Sequence, residues 1–173
     1  MIPQRVRQVL AALRAHLSAE DWRFIAAWLQ PDEKALFASL TLADQYHALQ
    51  TAYTARQLLP KYPAANQHLL LRCALLHDVG RVRGDLGTKG KILAVLLHAA
   101  APDWMRNKGA ADGPAGSLQH MLYVYLHHAE LGAAKLSALG LSAEASIVAG
   151  HHKAPAEYDP PELKILRMAD GMN

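Results

Sequence analysis

Apolar residues recur at three- and four-residue intervals along most of this chain, the period of a helix that buries one face. Val6, Leu10, Leu13 and Leu17 set the first such stripe and predict a helix from Ile2 to Leu17. Ser18 is placed to cap a second helix, with Asp21 in its first turn and Trp22, Ile25, Trp28 and Leu29 as its apolar side. Pro31-Asp32-Glu33 reads as the start of a short third helix carrying Leu36, Phe37 and Leu40. Thr41 or Asp44 then opens a longer one that runs to about Leu59, where Pro60 and Pro63 break it.

The segment Asn66 to Asp78 is apolar almost all round, which predicts a helix buried on most sides and ended by Gly80. Helices are also expected over Ile92 to Ala99, Ser117 to Leu139 (stopped by Gly140), Ala143 to His151 and Pro161 to Met172. Two stretches rich in Gly, Pro or charge, Arg81 to Lys91 and Pro102 to Gly116, read as loops. No alternating pattern of useful length suggests a strand. The expected class is therefore all-α, a compact multi-helix bundle.

Composition agrees. The 173 residues are 51% apolar and 19% charged, enough for one packed core and too apolar for extended disorder. The single cysteine, Cys73, excludes an internal disulfide or a Cys-based zinc site and is expected to be a buried, inert thiol. The first residues lack the unbroken apolar run of a signal peptide, and no apolar run is long enough for a membrane span, so cytoplasmic placement without membrane insertion is the expectation. The net charge of +3 comes from scattered basic residues without interleaved aromatics, which argues against nucleic acid as the partner.

Ten histidines are the more unusual feature, and their positions matter more than their number. His77-Asp78 closes the most apolar helix, where the negative end of the helix dipole favours a cation. His47, the pairs His127-His128 and His151-His152, and Asp170 all interrupt or follow hydrophobic stretches on other helices. Burying these groups without partners is costly, and a shared metal ion offsets that cost. A lone His-Asp pair at a helix end is more often structural than functional. The full set, in order on separate helices, favours a site.

The order His47, His77-Asp78, Asp170, with the wording Ala74-Leu75-Leu76-His77-Asp78-Val79-Gly80-Arg81, resembles the HD-domain superfamily of metal-dependent phosphohydrolases. His128-Ala129-Glu130-Leu131-Gly132 and Gly150-His151-His152-Lys153 resemble its branch with extra histidines. The resemblance covers residues 42–173 and leaves 1–41 as a helical extension packed into the same unit. It implies a bundle of the HD type with His77 and Asp78 as the catalytic pair. One divalent ion would lie on His47, His77, Asp78 and Asp170, and Asp78 would bridge to a second held by His128 and His151. Mn, Fe, Co or Mg are the expected metals.

Arg81, Lys89, Lys153 and His152 are expected to meet the substrate phosphate, His152 alternatively serving as or supporting a ligand. Arg81 stands where the signature usually has Lys, and its guanidinium cannot give up a proton. Asp44 lies three residues before His47, whereas an extra ligand in some relatives lies four back, so a third ion is not expected. The Gly-Tyr-Pro signature of the cyclic-di-GMP branch is absent. The implied reaction is hydrolysis of a small phosphoester, a nucleotide or other phosphodiester. The alternatives are a single-metal phosphomonoesterase such as a 5'-nucleotidase, or a non-catalytic signalling module. Trp22, Trp28 and Phe37 in the extension are expected to bury against the core or against another chain, which leaves an oligomer open.

Overall fold

The helical period read from the sequence becomes nine α-helices among the described residues, with no strand between them. The computed structural model describes residues 16–81, 83–85 and 88–173, with backbone alone at 88, 89, 91, 92, 95 and 99. The helix expected over Ile2 to Leu17 falls almost wholly outside the described residues. The elements are α1 (Ala19–Trp28), α2 (Pro31–Ala38), α3 (Leu42–Leu58), a single 3-10 turn (Leu59–Lys61), α4 (Gln67–Leu76), α5 (Thr88–Ala100), α6 (Pro102–Lys108), α7 (Leu118–Ala138), α8 (Ser142–Gly150) and α9 (Pro161–Met172).

Local chemistry explains the ends. Ser18 and Asp21 form a reciprocal cap on α1, with each side chain bonded to the other's backbone N–H. Thr41 caps α3 by accepting from the Asp44 backbone N–H. Asn66 does the same for α4 through Leu69. Gly140 ends α7 as expected, with φ of 78°, a conformation that costs glycine little.

Helix α4 is the centre of the bundle. Leu70, Leu71, Cys73, Ala74, Leu75 and Leu76 are all buried, and α3, α8 and α9 pack around them. Each fully buried Leu contributes about 1.5–3 kcal/mol. The burial expected of Cys73 is observed, and it pushes the thiol well above its ordinary pKa, which leaves it unreactive. Helices α1 and α2 bring Ile25, Leu29, Phe37 and Leu40 into the same core. Arg72 on α4 reinforces that junction by pairing with Glu33 of α2 and Glu144 of α8. A smaller cluster of Ala94, Met105, Leu122 and Val124 holds α5 and α6 against α7.

Three boundaries differ from the sequence reading. Pro102–Lys108 is helical rather than loop. Pro102 at the first helical position and Asp103 in the first turn are ordinary start signals, and Met105 buries the short helix, but the surrounding Gly and Ala residues hide that pattern. Helix α5 begins at Thr88, inside the segment expected to be loop. Helix α4 ends at Leu76 with His77 as its C-cap, so Gly80 does not terminate it. Gly80 instead lies in the following turn, pressed against α7. A Cβ there would come within 1.9 Å of the His128 carbonyl oxygen, so only glycine lets the turn approach that backbone.

Candidate metal centre

Two helices aim their C-terminal ends at one place. His77 is the C-cap of α4 and His151 the C-cap of α8, so two negative dipole ends converge where a cation would be favoured. His47 comes from the middle of α3, His128 from the middle of α7 and Asp170 from the end of α9. The turn carrying Asp78 is fastened to α7 by Lys135, whose ammonium donates to the Val79 carbonyl at 2.8 Å. Lys135 was not singled out from the sequence. The available signal is its place seven residues after His128, on the same face of α7.

The imidazoles are aimed by their own helices. His77 Nδ1 lies 2.9 Å from the Ala74 carbonyl, His128 Nδ1 2.9 Å from that of Tyr125, and His151 Nδ1 2.6 Å from that of Val148. A carbonyl only accepts, so each Nδ1 carries a proton and each Nε2 is the nitrogen left facing inward. His77 Nε2, His151 Nε2 and Asp78 Oδ1 are buried and have no hydrogen-bond partner. Orphaned buried atoms of this kind carry a full desolvation cost. They are also ligand atoms of the type a divalent ion takes.

The six residues expected to form the site meet there. His47 Nε2 is 2.9 Å from Asp170 Oδ1, across 123 residues of chain. His77 Nε2 is 3.6 Å from Asp170 Oδ1 and 3.7 Å from Asp78 Oδ2. His128 Nε2 is 3.4 Å from Asp78 Oδ1. Three groups bring their ligand atoms within 4.8 Å of one another: His47, His77 and Asp170; His77, Asp78 and His151; and His128, His151 and His152. The donor set fits a divalent ion. His152, expected beside the substrate or as a ligand or its support, has its Nε2 2.8 Å from His128 Nε2 and so stands among the imidazole donors.

Electrostatics follow from burial and charge. Burial pushes the Asp78 carboxyl up, but Arg81, His77, His128 and His47 outweigh it and hold it well below the usual carboxylate range. Asp170 is held low in the same way by His47 and His77. Burial pushes His77 down, yet Asp78 and Asp170 override this and raise it to about 9. On the other side, burial together with neighbouring cationic groups lowers His151 to about 3 and His128 well below its ordinary value. His152, at the solvent edge, is lowered chiefly by burial.

The expected phosphate-binding residues are less uniform. Lys153 is exposed. The side chain of Lys89 lies outside the described residues. Arg81 is engaged, with Nη1 2.6 Å from Asp78 Oδ2 and Nη2 3.0 Å from His128 Nε2. Asp44 is buried, accepts from the Thr41 hydroxyl at 2.6 Å and lies 4.0 Å from Arg81 Nη1.

An apolar central helix ending in a His-Asp pair is thus ringed by histidines from three other helices, a set of groups that could hold a metal ion. The sequence model of the HD domain matches residues 45–172, and the chain belongs to that family, within the superfamily of metal-dependent phosphohydrolases. No curated protein and no solved structure matches it. Among the described residues, no helix is long and apolar enough to cross a membrane.

Proposed function

We propose that this protein hydrolyses a small phosphoester, a nucleotide or other phosphodiester, at a divalent-metal centre with two adjoining positions. His47, His77, Asp78 and Asp170 would hold the first ion. Asp78, His128 and His151, with His152 beside them, would hold the second. Such ions, when bound, polarise a phosphoryl oxygen and lower the pKa of water. The observation that carries this reading is the set of orphaned buried atoms on His77, Asp78 and His151, three residues whose ligand atoms gather within 4.8 Å of one another.

The chain's own groups do the positioning. Tied-back Nδ1 protons keep the imidazoles in the ligating tautomer without help from a neighbour. Asp78 would serve both positions, with Oδ2 on the His77 side and Oδ1 on the His128 side, a part for which a carboxylate is needed. Its lowered pKa keeps it ionised, ready for a cation. A cation held by His77 would take the place of the second proton that Asp78 and Asp170 favour on its ring. Exposed Lys153 lies next in sequence to His152, at the open edge where an anionic substrate would arrive. Residues 42–173 would form the hydrolase domain and 1–41 its helical extension.

Metal analysis and hydrolysis of bis-p-nitrophenyl phosphate with Mn²⁺ test the proposal. Asp78→Ala is expected to lose bound metal and at least roughly 10²–10³-fold in turnover, the scale for one preorganised electrostatic group. Normal turnover in that folded variant would refute the assignment. A single-metal phosphomonoesterase is the second reading, favoured by one observation: the Arg81 guanidinium already engages both Asp78 and His128. Metal atoms per chain, and p-nitrophenyl phosphate in place of the diester, separate the two.

A further inference from the structure

Arg81 has little freedom to act as a phosphate ligand while it is held where it is. Its side chain is 17% exposed, its Nη1 sits on Asp78 Oδ2 and its Nη2 on His128 Nε2. The Nδ1 of His128 is committed to the Tyr125 carbonyl, so Nε2 has one lone pair to give. That lone pair faces Arg81 Nη2 at 3.0 Å and His152 Nε2 at 2.8 Å. It cannot bind a cation while it accepts from the guanidinium. The first position is less encumbered, because Arg81 touches it only at the shared Asp78, through Oδ2, and none of its other three ligands gives a lone pair to the guanidinium. His47, His77 and Asp170 meet one another, and among the described residues no arginine ion pair or hydrogen bond reaches them.

We propose that Arg81 is the resident cation of the second position, occupying the Asp78–His128 donor pair until an incoming ion displaces it, so that the two positions fill in sequence. This deepens the metal-centre reading and rests on it. Arginine suits the part for two reasons. Its planar fork spans two acceptors at once, which an ammonium does not. It also stays charged, so it cannot relieve repulsion toward a second ion by losing a proton and has to move away. The Nε of Arg81, buried and without a partner, marks a side chain held by its two outer nitrogens alone.

The test is a titration of the full chain, stripped of metal by chelation, with Co²⁺. Calorimetry gives the stoichiometry and affinities, and the visible absorption of Co²⁺ follows each position as it fills. The intact protein is expected to bind one ion tightly and a second at least about tenfold more weakly. Arg81→Ala is expected to tighten the second by about tenfold or more, the scale on which neighbouring groups tune metal affinity, and to change the first by less. Arg81→Lys, which keeps one charge but not the fork, should fall between them. It also carries the test if the alanine variant fails to fold.

Two equal affinities in the intact protein, or an unchanged second affinity in both variants, would overturn the role of Arg81 while leaving the metal centre standing. No Co²⁺ uptake at all, or uptake insensitive to Asp170→Ala, would remove the metal centre itself.

Discussion

Helix α4 carries two buried charged clusters, and they differ in one respect. Near its middle, Arg72 donates through Nε to Glu33 at 3.2 Å and pairs through Nη1 with Glu144 at 2.5 Å, while Glu33 also accepts from the Gln30 backbone at 3.1 Å. None of these side-chain atoms is buried without a partner. At its end, His77 and Asp78, with His151 opposite, keep three orphaned atoms. The first cluster is closed and serves the packing of α2 and α8 on α4. The second is open toward a common point. Buried charge alone therefore does not mark a site. Buried charge that the protein itself leaves unsatisfied does.

This contrast can be broken by experiment. The largest effect is expected from Arg72→Ala, which strands two carboxylates and should cost about 3–5 kcal/mol in chemical denaturation. Added Mn²⁺ should not restore that loss selectively, because no metal position lies there. A variant as stable as the parent would erase the distinction between the clusters. Next comes the response of the open cluster itself. Divalent metal at a hundred times its Kd should stabilise the intact protein by about 2.7 kcal/mol. Asp170→Asn should abolish most of the accompanying rise in Tm, and an undiminished rise would remove Asp170 from the ligands.

The smallest effect concerns a third charged group, at the edge of the molecule. His120 Nε2 is 3.0 Å from Asp85 and Nδ1 2.7 Å from Asp112, and these two contacts raise its pKa. A raised value in the folded state means the group stabilises fully below the unfolded value of roughly 6.5. That contribution fades as pH climbs through the higher folded value. An NMR titration should place the His120 midpoint above the ordinary imidazole range, and Asp112→Asn should bring it down. A midpoint at or below the ordinary value would show that neither carboxylate holds the ring.

Much of this was legible in the chain. His47, His77, Asp78, His128, His151 and Asp170 could be picked out because each stands in an apolar setting on its own predicted helix, and a buried polar residue needs a reason. The nine helices of the described residues followed from periodicity except at α6, where Gly and Ala flank a short amphipathic turn and dilute its signal. The engagement of Arg81 with His128 could not be read, because it joins positions 47 residues apart through side-chain reach alone. For His152 the sequence left both a substrate and a ligand role open, since adjacent histidines at a helix end look alike until the following turn fixes their directions. The reason for Gly80 was also hidden. A glycine after a helix suggests an ending, whereas here it answers to a backbone on another helix.

That glycine has a wider consequence. With no side chain between the Asp78 turn and the third turn of α7, the gap between the two groups of donors is set by main chain resting on main chain. Main-chain contact is the stiffest spacer a protein can make, and no rotamer can loosen it. Gly132 faces the same junction from α7, with its would-be Cβ 3.1 Å from the Gly80 nitrogen. The spacing of the two donor groups is therefore fixed along one axis, and any adjustment there falls to the arginine and the rim histidine, the parts that can still swing.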